Sequence, residues 1–375
     1  MRKRANKGNY TRVLRKIWLS EGISRIEIAD YLGLDKSTIT NITAALQRDG
    51  IITEMSEGDA GPQGGRKPIK LKIEKNFYAA AGIEVQPDCC NVICINLLGE
   101  VLFSRKIKFE MDIFQFPIFF SKLIKDIKSD LNEKRVILAG AGIGVSGIVN
   151  PEKGAILESI PLGINEEFPL LDKLSAMVDV PVFIDNDGNC CCWGELVFNR
   201  AEQLQDFIYC FVEFRDDCGV AIGLGVAIDG KVHYGRNYSA GEFRSVFMEG
   251  ENSGQIAILN DERINKEDDS DLFEKISSEL GRNIALLVNT FALSDCFIGG
   301  DLTTAQLEIM SRALRTEFNR NWSYPGESEC RIRASSLREL SVAYGAASMI
   351  IDSLFRIPAV RDTGSAEFDI PGRII

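Results

Sequence analysis

An acidic turn near the middle of the chain carries the side chains best suited to ligand chemistry. The apolar residues from Val182 predict a strand that ends at Asp185, and Asn186 and Asp187 follow directly. Polar groups clustered at the carboxyl end of a strand commonly line a ligand-binding cleft. The alternative is an acidic turn that caps the following helix through Asn189, and these residues alone leave both interpretations open.

A second set of polar side chains, near the N-terminus, suits contacts with nucleic acid. These side chains are one lysine, three short hydroxyl groups and one amide: Lys36, Ser37, Thr38, Thr40 and Asn41. Such groups bond base edges in a DNA groove or the phosphates beside it. To contact DNA, these side chains must lie on the exposed face of a helix, and the neighbouring residues must predict that helix.

Three helices are predicted around this polar set. Apolar residues at helical spacing predict a first helix over segment 10–20; they are Val13, Leu14, Ile17 and Trp18. Ser24 and Glu27 form a capping box that begins a second helix, which ends at Gly33. Asp35 is placed as the N-cap of a third helix whose end is marked by Gly50.

The spacing of Ala29, Gly33 and Ile39 is typical of a helix-turn-helix. Ala29 lets the second and third helices approach closely, Gly33 makes the tight turn, and Ile39 anchors the third helix in the shared core. The polar set then occupies the exposed N-terminal part of the third helix, which is the part that reads a groove.

A wing is predicted after the third helix. Residues 51–54 and 68–73 have the pattern of two strands, and the glycine-rich segment between them ends in Arg66 and Lys67. Two cations there would contact the DNA backbone or minor groove. The alternative is a helical hairpin module used for protein contacts.

The distribution of charge favours the DNA-binding interpretation. Residues 1–75 contain 15 Lys and Arg against 9 Asp and Glu, a net charge of +6. The remaining 300 residues contain 28 against 45, a net of −17, which gives the chain its net charge of −11. A basic end on an acidic body indicates a polyanion-binding module carried by a domain that would repel nucleic acid.

Composition points to an intracellular globular protein. The basic N-terminus lacks an apolar signal core and no run of eighteen apolar residues occurs, so we expect a cytoplasmic protein that makes no membrane contact. Ten cysteines at irregular spacing predict neither disulfides nor a CxxC pair. Cys190, Cys191 and Cys192 cannot converge on one metal from a helix, and we expect small buried thiols.

The remaining 300 residues predict two lobes, each a sheet with helices, and such folds bind ligands in the cleft between lobes. The predicted strands are 79–85, 91–96, 101–109, 136–145, 182–185, 207–213, 219–228 and 295–298. The predicted helices lie near 113–131, 271–293, 303–318 and 337–355, with another after Asp185.

The order of five short segments resembles the ROK family (repressors, open reading frames and kinases), in particular its members with an N-terminal winged helix. The segments are Gly142-Ile-Gly-Val-Ser-Gly147, Val182-Phe-Ile-Asp-Asn-Asp-Gly-Asn189, Gly219-Val-Ala-Ile-Gly-Leu-Gly225 with Asp229-Gly230, Ala240-Gly-Glu-Phe243 and Phe297-Ile-Gly-Gly300. The five segments lie between residues 142 and 300. Together they are specific for the family, although any one of them alone is weak evidence.

The resemblance implies an α/β fold with an actin-like ATPase domain of the sugar-kinase type. It implies that Asn186, Asp187 and Glu242 bind sugar hydroxyls and that Gly147 lies on the loop that closes over the sugar. Asp187 matches the catalytic base of the kinase members, which takes the proton from the hydroxyl being phosphorylated.

Two departures from the family indicate that catalysis and zinc are absent. Glu84-Val-Gln-Pro87-Asp88 replaces the first phosphate loop, and Ala221 and Leu224 replace glycines of the second. Phosphoryl transfer depends on positioning and charge neutralisation, so we expect no ATP binding and no catalytic residue. Arg244-Ser245 replaces the family's zinc-binding histidine, and the only histidine, His233, is expected to be an ordinary strand residue, so no metal is expected.

The sequence therefore predicts a winged helix-turn-helix over 1–75 and a two-lobed ligand-binding domain over 76–375. The predicted function is a transcription regulator, with repression the commoner family behaviour, that binds operator DNA as a homodimer or homotetramer and responds to a sugar. The rivals are an active ATP-dependent sugar kinase with a vestigial DNA-binding module, and a scaffold that binds a partner protein.

Overall fold

The N-terminal helices form where the sequence places their caps and apolar faces. The computed structural model describes residues 2–55, 69–108, 112–199, 202–215, 219–249, 254–260 and 270–356. The first three helices are α1 (Arg2–Trp18), α2 (Arg25–Leu32) and α3 (Lys36–Arg48). In the capping box the Ser24 amide donates to Glu27 Oε2 at 2.8 Å and the Glu27 amide donates to Ser24 Oγ at 3.3 Å. Gly33 ends α2 in the left-handed conformation, with φ 63°.

The third helix begins at the predicted position, but the side chain of its predicted N-cap residue does not cap it. Asp35 occupies the N-cap position, yet its side chain makes no capping hydrogen bond. The apolar face of the helix, built on Ile39, Ile42 and Leu46, is buried. Packing of this face, rather than the cap, therefore holds α3 in place.

A small antiparallel sheet completes the N-terminal module, and its first strand lies between α1 and α2. Its strands are β1 (Ile23–Ser24), β2 (Ile52–Glu54) and β3 (Lys70–Ile73), in the order β1-β3-β2. The two predicted wing strands are confirmed, whereas β1 was not predicted because two residues carry no alternation. Arg66 and Lys67 lie outside the described residues.

The first lobe of the body is a five-stranded mixed sheet in the order β10-β7-β4-β5-β6. Its strands are β4 (Tyr78–Val85), β5 (Cys89–Asn96), β6 (Val101–Lys108), β7 (Ile137–Val145) and β10 (Val182–Asn186). Beside it lie α4 (Phe116–Glu133), the hairpin β8 (Ile148–Asn150) and β9 (Ala155–Glu158), and α5 (Leu170–Ser175). The hairpin and α5 were not predicted, because they are too short for a periodic pattern.

The second lobe is a five-stranded sheet in the order β13-β12-β11-β14-β15. Its strands are β11 (Phe207–Arg215), β12 (Gly219–Ile228), β13 (Lys231–Val232), β14 (Asp295–Gly300) and β15 (Arg331–Ala334). The helices α7 (Ser270–Phe291) and α8 (Thr304–Arg320) bury their apolar faces on this sheet. His233 follows β13 and is exposed, so the prediction of a strand residue is wrong by one position.

Two helices, α6 (Asp187–Phe198) and α9 (Ser341–Phe355), connect the two lobes. They pack backbone to backbone, because a Cβ on Gly345 would lie 1.6 Å from the carbonyl oxygen of Cys190. Helix α9 approaches the first sheet as closely, since a Cβ on Gly142 would lie 1.8 Å from the Ala346 carbonyl oxygen. The three cysteines of α6 are buried, as predicted. A helix held this closely cannot shift without moving its neighbours.

Candidate functional site

The exposed face of α3 presents the polar side chains that the sequence singled out. Lys36, Ser37, Thr40 and Asn41 are exposed, and Thr38 is half-buried. The Thr40 hydroxyl donates to the Lys36 carbonyl oxygen at 2.8 Å, so its proton is used within the helix. While this bond holds, Thr40 has no proton to donate to a DNA base or phosphate and can act only as an acceptor.

An arginine that the sequence analysis missed holds α3 against the wing. Arg25, the first residue of α2, donates to Thr43 Oγ1 at 3.1 Å and to Gln47 Oε1 at 2.8 Å, both on α3. It also pairs with Glu54 of β2 at 3.2 Å, and Gln47 donates to the same carboxylate at 3.0 Å. One guanidinium thus links three elements of the module and orients the polar face of α3.

The module packs directly on the body through Trp18. The indole nitrogen of Trp18 donates to the carbonyl oxygen of Leu97, in the turn after β5, at 2.7 Å. The Trp18 ring stacks on Phe355 at the end of α9, with ring centroids 4.3 Å apart. Both aromatic side chains are buried, at 5% and 2% exposure. The module and the first lobe therefore share one hydrophobic core.

Asp185, the first residue of the acidic turn, is internal to the protein. It is fully buried and accepts hydrogen bonds from Tyr234 Oη at 2.7 Å, Asn189 Nδ2 at 3.0 Å and Trp193 Nε1 at 3.1 Å. Burial raises the pKa of Asp185 to about 6, and these hydrogen bonds oppose that rise. Its carboxylate is used to fix α6 and does not face the cleft.

Asn186 and Asp187 place polar groups at the start of α6. Asn186 caps the helix by accepting from the Asn189 amide at 3.2 Å, and its own amide donates to the Gly147 carbonyl oxygen at 2.8 Å. Asp187 Oδ2 accepts from Ser146 Oγ at 2.7 Å. The turn therefore caps α6, as one of the two interpretations of the sequence predicts, and it also brings Asp187 to the loop after β7.

Gly147 and Ser146 lie on the loop that contacts the first turn of α6, and we refer to the region between this loop, α6 and the second lobe as the cleft. Gly147 has φ 117°, and a Cβ there would lie 2.3 Å from the Glu158 carbonyl oxygen, so only glycine fits. Ser159 Oγ donates to the Ser146 carbonyl oxygen at 2.7 Å and fixes this loop on the β8–β9 hairpin. Ser146 was missed because a single serine after a strand carries no signal until its partner is known.

Glu242 approaches the same cleft from the second lobe. A Cβ on Gly241 would lie 2.1 Å from the Leu224 carbonyl oxygen, and one on Gly188 would lie 2.4 Å from that oxygen. The residues that follow Asp187 and precede Glu242 therefore meet at Leu224. Glu242 is exposed as a residue, yet partial burial of its carboxyl group raises its pKa, and the charges of Asp187 and Glu158 act in the same direction.

The turn between β4 and β5 brings carboxyl groups of the two lobes together. Gln86 donates from one amide nitrogen to Glu84 Oε1 at 3.1 Å and to Glu213 of the second lobe. Asn91 donates to Glu84 Oε2 at 2.8 Å. Burial raises the pKa of Glu84 to about 8, and the charges of Glu213 and Asp187 add to the rise. Pro87 and Asp88 are exposed at the tip of the loop.

Two kinds of feature are absent from the residues that the structure describes. None of the helices there combines the length and apolar character needed to cross a bilayer. The same ranges hold no cluster of three or more His, Cys, Asp or Glu side chains suited to a metal ion.

Comparison with known proteins identifies both parts of the chain. A model described as the ROK family matches residues 80–255, and one described as the MarR family matches residues 9–57. A xylose repressor from Caldicellulosiruptor bescii is 31% identical over 237 residues, which are 62% of this chain and 57% of that protein. The match to that relative thus spans little more than half of its length.

Two solved structures share the fold. A ROK family transcriptional regulator, described as a homologue of the Escherichia coli Mlc protein, superposes with a TM-score of 0.75 at 21% identity, over 94% of this chain and 97% of that one. A ROK family glucokinase from Streptomyces griseus, in complex with glucose and AMPPNP, has a TM-score of 0.56 at 20% identity, over 72% of this chain and 98% of that one. The predicted fold, a winged helix followed by a sugar-kinase-like α/β domain, is confirmed.

Proposed function

We propose, from the match of residues 80–255 to the ROK family model, that this chain is a sequence-specific DNA-binding regulator of carbohydrate metabolism genes. It acts as a repressor, and a sugar or sugar derivative bound in the non-catalytic kinase-like domain controls its affinity for the operator. The observation that carries the proposal is the stacking of Trp18 on Phe355, which joins the DNA-binding module to the ligand-binding body.

The DNA contacts are assigned to the polar face of α3 and to the wing. Lys36, Ser37, Thr38, Thr40 and Asn41 contact base edges or phosphates in the major groove, and Arg66 with Lys67 contact the backbone or minor groove. Support comes from the exposure of this face, from the basic charge of residues 1–75 and from the MarR family match.

The effector binds where the two lobes meet. Asn186, Asp187 and Glu242 bind its hydroxyl groups, and the Gly147 loop closes over it. Supporting this assignment, Asn186 and Asp187 are tied by hydrogen bonds to residues 146–147, so a ligand that moves the loop also acts on the first turn of α6. The relative from C. bescii is named for a sugar, xylose.

In this proposal, helices α6 and α9 transmit the effect of ligand binding to the DNA-binding module. Ligand closure shifts the N-terminus of α6, α9 follows because Gly345 touches the α6 backbone, and Phe355 moves the Trp18 end of α1. Coupling of this kind is limited by the difference in ligand affinity between the two arrangements. Binding of the ligand either releases the operator or strengthens binding to it.

We propose that the body has lost phosphoryl transfer. At the end of the cleft where a kinase holds phosphates, Gln86 bridges Glu84 and Glu213, and a triphosphate beside the charge of Glu213 is electrostatically unfavourable. The rival is an active sugar kinase, favoured by the Ser146 to Asp187 hydrogen bond, which holds Asp187 in the position of a base. A coupled ATP assay with aldoses and amino sugars separates them, because turnover abolished in Asp187→Asn establishes the kinase.

The assembly is proposed to be a cytoplasmic homodimer or homotetramer. Two recognition helices then reach successive major-groove turns of a palindromic operator. The domain boundary is proposed between residues 75 and 76, just before β4, although apolar contacts continue across it.

Operator binding tests the proposed function. A labelled duplex from the region upstream of the gene is titrated with full-length protein at increasing salt, and the expected result is a Kd that rises steeply with salt and is weaker for a scrambled duplex. Equal binding of both duplexes at every salt concentration contradicts sequence-specific regulation.

A further inference from the structure

A cavity of about 310 Å³ lies where the C-terminal half of α6 and the start of α9 meet the end of β15, and we call it the hinge cavity. Its lining residues include Gly194, Glu195, Phe198, Asn199, Ser336 and Tyr344. Asp187, at the start of α6, is about two helical turns from Gly194, so the hinge cavity is separate from the cleft. Small-molecule sites in proteins occupy about 300–1,000 Å³, so this volume suits a ligand of about one ring.

Glu195 gives the hinge cavity a carboxyl group that forms no salt bridge within the described residues. The Asn199 amide donates to Glu195 Oε2 at 2.5 Å. Burial raises the pKa of Glu195 to about 7, whereas the Asn199 hydrogen bond and the charge of Arg333 oppose the rise. Arg338, just beyond the lining residues, donates instead to Thr304 at 3.3 Å. A cationic group on a ligand would therefore compensate Glu195 for the water that it has lost.

Arg333, the cation on the cavity wall, is already paired twice. Its Nε donates to Asp295 Oδ1 at 2.8 Å, and its Nη2 donates to Glu202 Oε2. Arg331 pairs with the same two carboxylates, at 2.9 Å and 3.7 Å. Since these two cations and two anions balance one another, the ionised form of Glu195 leaves the wall with a net negative charge.

Aromatic rings form much of the remaining wall. Phe198 and Tyr344 contact each other with ring centroids 5.2 Å apart. Phe297 also lines the cavity, and the Arg333 guanidinium lies 5.6 Å from its ring centroid. Aromatic rings beside a carboxylate suit an organic ammonium group, which gains cation–π attraction and a charge-assisted hydrogen bond.

Tyr344 connects the hinge cavity to the anchor of the DNA-binding module. Its hydroxyl donates to the Gly99 carbonyl oxygen at 3.0 Å. Gly99 follows Leu97 in the same turn, and the Leu97 carbonyl oxygen accepts the hydrogen bond from the Trp18 indole. A ligand in the cavity therefore contacts a residue of α9 that is bonded to the turn holding the module.

We propose that the hinge cavity is a second ligand site, separate from the cleft, that takes a small amine with an aromatic or branched apolar body. The ammonium group binds Glu195, and the apolar body lies against Phe198, Phe297 and Tyr344. Occupation of the site restrains the movement of α9 against α6. This consequence rests on the proposed function, because it concerns how ligand binding reaches the module.

The binding test compares three probes that share one ring, namely benzylamine, benzyl alcohol and benzoate. Full-length protein is titrated with each by calorimetry at pH 8, where Glu195 is mostly ionised and the amine is protonated. We expect benzylamine to bind with a millimolar or lower Kd, and about tenfold or more tightly than benzoate, because its hydrogen bond joins two charged groups. Benzyl alcohol should have an intermediate affinity.

Matched variants show whether the probe occupies this cavity. Glu195→Gln should weaken benzylamine binding about tenfold and change benzyl alcohol binding little, whereas Glu308→Gln removes an equal charge from the exposed face of α8 and should have no effect. Ser336→Phe fills the cavity from an exposed position and should abolish benzylamine binding. Ser175→Phe adds the same ring at the exposed end of α5 and should bind like the wild type. Urea unfolding verifies that each variant is folded.

The effect on the module is measured by anisotropy with a labelled operator duplex. The neutral sugars D-glucose and D-xylose and the amino sugar D-glucosamine are each tested with and without saturating benzylamine. We expect benzylamine to reduce the sugar-induced change in operator Kd several-fold in the wild type, and to leave that change unaltered in Ser336→Phe.

Each part of the inference has its own contradicting result. Benzoate binding as tight as benzylamine binding, or benzylamine affinity unaltered in both Glu195→Gln and Ser336→Phe, overturns the amine site. Benzylamine binding in the cavity with an unaltered sugar response overturns its action on α9. Equal affinity of ligand-free protein for operator and scrambled duplexes rejects the proposed function, whereas the calorimetry alone decides the amine site.

Discussion

Trp18 and Phe355, separated by almost the whole chain, stack with ring centroids 4.3 Å apart and an interplanar angle of 7°. The first residue ends the first helix of the DNA-binding module, and the second ends the last described helix of the body. The Trp18 indole is also anchored to the Leu97 carbonyl oxygen. In the proposed mechanism, this contact makes α9 the helix that transmits ligand binding to the module.

Loss of the stacked ring should uncouple ligand from operator. Phe355→Leu removes the stacking surface, and we expect operator affinity without ligand to change little, while the ligand-induced change, typically about 5–150-fold in coupled systems, approaches onefold. Stability should fall by about 0.5–3 kcal/mol because a core aromatic is lost. Anisotropy titrations with and without sugar measure the coupling.

The matched control is Phe291→Leu at the end of α7, where the aromatic is 58% exposed. Its stability should change by less than about 0.5 kcal/mol and its ligand response should equal that of the wild type. An unaltered response in Phe355→Leu removes α9 from the proposed mechanism.

Two changes on α3 should have different signatures. If Lys36 contacts a phosphate as proposed, Lys36→Ala should lower affinity for all duplexes alike and reduce the salt dependence by about one unit of slope. If Asn41 contacts a base as proposed, Asn41→Ala should reduce the preference for operator over scrambled duplex by about 1–3 kcal/mol. Lys122→Ala, exposed on α4, removes the same charge far from α3 and serves as control.

The buried Glu84 predicts a specific dependence of stability on pH. Its pKa rises from 4.5 to about 8 on folding, mainly through burial, so the folded state holds a proton that the unfolded state releases between these values. The free energy of unfolding should therefore fall as pH rises through this window, by at most about 1.4 kcal/mol per pH unit from this group. Glu84→Gln should flatten the profile, measured by urea unfolding from pH 5 to 8.

Glu308→Gln should reproduce the wild-type pH profile, because Glu308 is exposed. A Glu84→Gln profile as steep as that of the wild type would show that Glu84 is ionised in the folded protein.

A pair of glycine variants tests the cleft loop. Gly147→Ala places a Cβ 2.3 Å from the Glu158 carbonyl oxygen, so the loop must move and ligand binding should be lost. Gly163→Ala also has positive φ, at 66°, but nothing lies within 4 Å of the added Cβ. It should cost only about 1–2 kcal/mol of backbone strain and keep ligand binding. Calorimetry and urea unfolding measure both, and equal ligand affinity in the two variants would place the ligand elsewhere.

Local features of the sequence predicted most of the fold. Some features depend only on residues within a few positions of one another, so a local pattern predicts them. Examples are the Ser24–Glu27 capping box, the Gly33 turn and the apolar stripe of α3. The same is true of the longer strands and helices of both lobes. The shortest elements, such as β1 and α5, depend on tertiary contacts, which a local sequence pattern does not predict.

The candidate site was predicted only in part, because its decisive contacts are non-local. Asn186, Asp187 and Gly147 were named from motifs, and the structure brings them together. The Arg25 bridge to Glu54, the Ser146 bond to Asp187 and the Trp18 stack on Phe355 each pair an ordinary residue with a distant partner. Such pairs become visible only when the folded chain sets the distance between them.

The most direct test of ligand-controlled DNA binding is one anisotropy titration. Full-length protein is titrated onto a labelled duplex from its own upstream region at several salt concentrations, with and without each neutral and amino sugar, and Asp187→Asn is titrated in parallel. The account predicts salt-sensitive preference for that duplex, a several-fold change in Kd with at least one sugar, and loss of that change in Asp187→Asn. A Kd that no sugar alters, or equal affinity for a scrambled duplex, contradicts it.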